Sequence, residues 1–414
     1  MNGRRIFGAA VAGLALAAAA SGQTIAIMGG TVFPVSGPKI ERGTVVMVNG
    51  KITAVGANVV VPSGATIIDA TGKWVTPGLI HAGANAGTGV ASLGGYSERS
   101  VSGDVNPSFN LADGIDPAAI TIPVARTGGV TTGVYAPDGS FIPGTAVVVD
   151  FAGERVDQMI VRSPAALLIE LSDGSKGAGG GARAGTIARL KRLFADAIEY
   201  DRRRLEYKRG ATQTLSAPAV ELDALLPALR GTMPVVITAN RRTDIENALR
   251  IGRDYRLRLV LSGAIEGWQV APAIAAAGVP VIMEPNRDIP SFDGLGARLD
   301  NVTLLRQAGV KVVIAQGDAG GERSLRYAAG NAVRNGVSWD DALKMITAWP
   351  AEAYGLTQYG ALAVGKVANV VIWSGDPFEF SSAAEKVFIR GQDTSLRTRE
   401  NDLRDRYRTL PPPR

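Results

Sequence analysis

Six short runs of aliphatic and β-branched residues, spread over residues 129–318, constrain this chain more than any other feature. They are Gly129–Val134, Ala166–Leu171, Pro234–Asn240, Arg258–Ser262, Pro280–Pro285 and Val310–Asp318. Segments with helical periodicity lie between or after them, at 183–207, 244–255, 268–278, 300–308 and 322–336. Continuously apolar strands that alternate with helices cannot leave a face in water, so they belong to a parallel sheet covered on both sides. A seventh run enters through Pro77-Gly78 and stops among small and polar residues in Trp74-Val-Thr-Pro-Gly-Leu-Ile-His-Ala-Gly-Ala-Asn-Ala-Gly87. Seven strands with one short strand overlooked predict an α/β protein built on a (β/α)8 TIM-like barrel, with an open doubly wound sheet as the alternative. No internal repeat is evident.

The two ends have a different texture. From Thr24 to Ile68, short apolar runs alternate with turn residues, and Asn49-Gly50 between two such runs is a strong hairpin signal. The same texture returns in Gly360–Trp373 and Lys386–Gly391. The expectation is a small β-sandwich domain assembled from residues 23–76 and 357–395, flanking a barrel at 77–356, with a polar helical tail at 396–414.

Residues 1–22 carry Arg4-Arg5, an apolar run from Ile6 to Ala20 and the small residues Ala20-Ser21-Gly22. That is the pattern of a cleaved signal peptide by the general or twin-arginine route, and it predicts a periplasmic or secreted protein with no membrane anchor after cleavage. The chain has no cysteine, so neither a disulfide nor a lipoprotein anchor can hold it. A formal charge of +6 over 414 residues, without a basic block interleaved with aromatics, argues against nucleic acid as a partner. The densest basic run, 202–209, continues a helical pattern and reads as a solvated face. Lys176–Gly185 lacks the Gly-Lys-Ser/Thr ending of a phosphate loop and reads as a flexible loop over the barrel mouth.

Pro77-Gly-Leu-Ile-His-Ala-Gly-Ala-Asn85 resembles the opening motif of the amidohydrolase superfamily, Pro-Gly-Leu-Ile-Asp-x-His-x-His, whose histidines are the first two metal ligands. Gly83 and Asn85 occupy those two positions, and His81, the single histidine of the chain, stands at the aspartate. Further matches are similar to the imidazolonepropionase-like branch. Pro234–Ile245 resembles Pro-Val-x-x-His-Ala-Asn-x-x-x-Asp-Ile, with Thr238 at the histidine and Asn240 retained. Gly309–Asp318 resembles the last barrel strand, with its catalytic aspartate kept as Asp318, and Ala342–Leu356 resembles the following helix and Asn-Pro-Ala turn, with Trp349 at the asparagine. Gly360–Val371 resembles Gly-Ser-Leu-x-x-Gly-Lys-x-Ala-Asp-Leu-Val, with Asn369 at the aspartate. The resemblance spans nearly the whole chain after its leader. It implies the same barrel and composite β unit.

What the resemblance implies about activity is hydrolysis of C–N bonds other than peptide bonds by metal-bound water. A catalytic zinc takes three protein ligands, mostly imidazole, and lowers the pKa of its bound water from its high bulk value to about 7. One imidazole and no thiol cannot build that set, so no metal or other cofactor is expected; the alternative is one divalent ion, Zn or Mn, in an oxygen-rich site from Asp318, Asn85, Glu266 and His81. Asp318 is the expected catalytic residue, either a surviving proton shuttle or a carboxylate bonded near Asn85 and Thr238. His81, Gly83, Asn85, Thr238, Asn240 and Glu266 are the expected pocket. His81 reads as a hydrogen-bonded residue of the barrel wall. Glu266 and Glu284 are a further candidate, as a carboxylate pair for metal-free hydrolysis.

These readings predict an exported amidohydrolase-like pseudoenzyme that binds a small molecule. It could do so as a homo-oligomer or as a hetero-oligomer with an intact amidohydrolase. The alternative is a working hydrolase of cyclic or other non-peptide amides.

Overall fold

In the computed structural model, residues 23–83, 98–210, 214–285, 289–315 and 321–408 are described. Asn85 and Asp318, like residues 1–22 where a leader is expected, lie outside them.

The N-terminal third supplies strands β1 (Thr24–Val32), β2 (Ile40–Val48), β3 (Lys51–Gly56), β4 (Thr66–Asp69) and β5 (Trp74–Pro77). The barrel strands are β6 (Leu79–His81), β7 (Val130–Tyr135), β8 (Gly144–Asp150), β9 (Ile160–Glu170), β10 (Val235–Ala239), β11 (Leu259–Gly263), β12 (Val281–Met283) and β13 (Val312–Ile314). β14 (Val370–Trp373), β15 (Ala384–Ile389) and β16 (Gln392–Thr394) return to the first unit.

One sheet runs β16-β15-β14-β5-β1-β2-β3, with β4 alongside β1. It therefore joins both chain ends, as their shared texture predicts. Asn49 and Gly50, both at positive φ, turn β2 into β3 as the hairpin signal requires. Ile25, Ile27, Val45, Met47, Val370, Ile372 and Phe388 close over a small core of their own. Alternation along the strands brings Ile25 with Ile27, Val45 with Met47 and Val370 with Ile372 to that core.

The second sheet runs β6-β7-β8-β9-β10-β11-β12-β13 and curls into a nearly closed barrel. β6, β7, β9, β10, β11, β12 and β13 are the seven strands legible in the sequence. The overlooked eighth is β8, and it runs antiparallel to both β7 and β9. Two direct connections thus replace two helical crossovers at this point of the wall. No ladder joins β13 to β6 among the described residues. A Cβ on Gly83 would stand 3.4 Å from Ala315 Cβ, and Ile80 N donates to Ile346 O at 2.8 Å. The seam is closed by packing and by the segment between two helices.

The chain passes from one unit to the other at Gly78, between β5 and β6. Gly78 N donates to Asn369 O, and Leu79 N donates to Gly129 O. A Cβ at Gly78 would sit 2.2 Å from Thr131 Oγ1, so only glycine fits the crossing. Behind it lies a buried polar knot. Asp150 Oδ1 accepts from Thr132 Oγ1 at 2.8 Å and Asn369 Nδ2 at 3.2 Å, and Oδ2 accepts from the Tyr359 hydroxyl at 3.0 Å and pairs with Arg390. Asn369 Oδ1 in turn accepts from Arg390 N at 2.8 Å. Asn369 can donate to a carboxylate and accept from an amide at once, which an aspartate here could not do.

Candidate functional site at the barrel mouth

Parallel pairing sets the register at the C-terminal ends of the strands. Glu170 pairs with Thr238, Thr238 with Ser262, Ser262 with Ile282 and Ile282 with Val313. Because side chains alternate along a strand, residues in one register row share a face, and the row below brings Leu168 beside Val236. The mouth is therefore an arc of one carboxyl and two hydroxyls above an apolar floor. A cavity of about 360 Å³ opens on it, lined among others by Ala82, Leu168, Glu170, Val236, Thr238 and Ser262. A second, of about 210 Å³, shares Thr238, Ser262 and Ile282 and extends to Asn240 and Glu284.

Glu170 is the residue that sequence reasoning overlooked. Its Oε1 accepts from Ser172 N at 2.7 Å. Burial pushes its carboxyl above the usual carboxylate range and Asp293 adds to the rise, against hydrogen bonds from Ser172 and Thr238. The available signal was its place at the end of the run Ala166–Leu171, the position that carries chemistry in a barrel. Ser262, at the end of β11, was legible on the same ground.

The other expected residues divide into several roles. His81 lies in β6 with 1% of its surface exposed, paired in register with Gly133, in the barrel wall. Gly83 follows it at the seam with β13 and offers no side chain to the mouth. Thr238 and Asn240 both line the smaller cavity. Asn240 Nδ2 donates to Asp293 Oδ2 at 2.9 Å. Gly263, at φ 81°, makes room for it, since a Cβ there would stand 2.2 Å from Asn240 Oδ1. Glu266 accepts two backbone amides, Arg242 N at 2.9 Å and Gly296 N at 3.0 Å. It ties the helix Arg242–Asp254 to the segment after β12, away from Glu284, which lines the smaller cavity.

Arg183, the first residue of the helix Arg183–Arg202, organises the rim. It bonds Asp293 at 2.6 Å and both Asp173 and Asp244 at 3.1 Å. Asp173 also pairs with Lys176 at 2.7 Å. The glycine-rich segment expected to be a flexible loop is instead a packed turn. Residues Asp173–Gly179 form a 3-10 helix, and a Cβ on Gly185 would stand 2.0 Å from Gly179 O. Two backbones touching this closely explain Gly179 and Gly185, while Gly180 and Gly181 stand at positive φ.

For any ion the whole sequence offers one imidazole, no thiol and otherwise oxygen donors. Among the described residues, no group of three or more His, Asp or Glu side chains could hold an ion. The three aspartates near Arg183 surround a guanidinium.

A nearly closed barrel with a sheet from both chain ends beside it, and polar strand-end residues facing its mouth, defines a metal-dependent-hydrolase type of fold. Residues 269–394 match the amidohydrolase family model. The curated amidohydrolase tasK of Hapsidospora irregularis is 23% identical over 386 residues, 85% of this chain, and the chain spans 39% of that protein's length. The crystal structure of an amidohydrolase from Thermotoga maritima MSB8 superposes with a TM-score of 0.82 at 28% identity, covering 90% of this chain and all of that one. Molinate hydrolase shares the fold at a TM-score of 0.57 and 18% identity, covering 91% of this chain and 95% of its own. Together these matches support the amidohydrolase superfamily for this chain.

Proposed function

We propose that this protein is an exported amidohydrolase-fold protein that has given up metal-assisted hydrolysis and uses its barrel mouth to bind a small molecule. One observation carries the reading: the strand-end row reads Glu170, Thr238, Ser262, and the first-strand position offers Gly83, so the mouth keeps a shaped polar cavity while holding neither a thiol nor an imidazole. Without a bound cation, water stays too weak an acid for a lone carboxylate base to ionise at neutral pH. The resemblance of Pro234–Ile245 to the imidazolonepropionase-like branch supports a place near that branch. Export rests on the leader at residues 1–22, and pairing with a second copy or an intact relative is consistent with a retained barrel.

Elemental analysis of the purified full chain, before and after dialysis against a chelator, tests the reading. The expected outcome is sub-stoichiometric transition metal, an unchanged melting temperature after chelation and no chelator-sensitive cleavage of cyclic or acyclic amides. Near-stoichiometric Zn or Mn together with amide turnover that chelation abolishes would overturn it.

A further inference from the structure

The acids around the mouth differ in what neutralises them. Asp173 and Asp293 are held by Arg183, with Lys176 also on Asp173. Asp244 bonds Arg183, Asp138 pairs with Arg99, and Glu266 accepts two backbone amides. Glu170 is different. It is the acid of the register row, it faces the larger cavity, and no ion pair joins it to a cation among the described residues; its partners are Ser172 and the Thr238 hydroxyl. A carboxylate withdrawn from water is costly unless a cation meets it. Among the described residues none does, and the space in front of the carboxylate is a cavity.

An anionic ligand would fare badly in that space. It would face Glu170 with Asp293 close by, while Arg183 and Arg99 are already engaged by carboxylates. A protonated amine reverses each of these terms. Its N–H groups find an acid and two hydroxyl acceptors in one arc, and its carbon body finds Leu168, Val236 and Ile282. The volume of about 360 Å³ lies at the lower end of the range for small-ligand sites and suits a single-ring or amino-acid-sized molecule.

We infer that the ligand of this mouth is a small protonated amine, seated on Glu170 between the hydroxyls of Thr238 and Ser262 with its apolar part against the cavity floor. The inference rests on the binding reading above and adds the charge of the ligand to it.

Three probes of one shape and different charge test it: benzylamine, protonated at pH 7, benzyl alcohol and benzoate. Each is titrated calorimetrically into the full-length protein and into Glu170→Gln, with thermal unfolding recorded to establish that the variant is folded. Benzylamine should bind about tenfold or more tighter than benzyl alcohol, with benzoate weakest, and E170Q should erase the preference for the amine while leaving benzyl alcohol within about twofold. Equal binding of all three, or tighter benzoate, overturns the charge assignment and leaves the binding reading standing. Absence of binding by any probe at millimolar concentration removes both. Should E170Q fail to fold, the ranking of the probes on the wild-type protein decides alone.

Discussion

At the scale of single residues, Glu170 shows how position alone can make a side chain consequential. Only its place at the end of an apolar run marks it out in Leu-Leu-Ile-Glu-Leu; its register beside Thr238 turns it toward the cavity and its partial burial raises its pKa. A carboxyl whose pKa is raised by folding lends its full stability below the ordinary value near 4.3 and loses it as pH climbs through the raised value. Glutamine does not ionise and can still accept from Ser172 N. We therefore expect E170Q, compared with wild type by urea unfolding, to gain relative stability between pH 4 and pH 7. A difference that is flat or falls over that range would refute the raised pKa.

At the scale of elements, the seven parallel strands were legible because each is a continuous apolar run, the mark of a strand buried on both faces. β8 was not, although Thr-Ala-Val-Val-Val-Asp is as apolar as the others. It follows the turn-rich stretch Pro137–Pro143 and breaks the strand-helix alternation that guided the reading. The site was half legible. Thr238 and Asn240 stand at a strand end and reach the mouth, whereas Glu266 sits at a similar place in sequence but is turned to backbone amides. Only long-range pairing separates the two cases. Another long-range tie fixes the segment before β7. Asp104 bonds Arg189 at 2.8 Å and Ser140 Oγ at 2.7 Å, and these hold its carboxyl below the usual range, Arg189 first. A depressed pKa means that the tie is intact above about 4 and is lost as pH falls through the lowered value. Hydrogen exchange at residues 101–106 should accelerate relative to the barrel strands on acidification, and Arg189→Ala should produce the same acceleration at pH 7.

At the scale of the whole molecule, the two units are joined through the buried knot of Asp150, Thr132, Asn369, Tyr359 and Arg390. Burial raises the Asp150 carboxyl, with Arg390 pulling it back. The knot has room for one carboxylate. Asn369→Asp, which restores the residue typical of the family, should place a second acid against the first and destabilise the fold by roughly 3 kcal/mol at pH 7. Pairing it with Asp150→Asn should recover much of that loss, as a double-mutant cycle by chemical denaturation would measure. The reversed direction of β8 has a different kind of consequence. Its start points to the mouth and its end to the floor, so the segment 136–143 that edges the larger cavity is a hairpin connection, with Ala136, Pro137, Asp138, Gly139 and Pro143 on the cavity wall. A ribbon tip of this sort can be lengthened, shortened or exchanged without shifting any helix of the outer shell, which makes it the natural place for selection, or for a protein engineer, to retune what the vessel accepts.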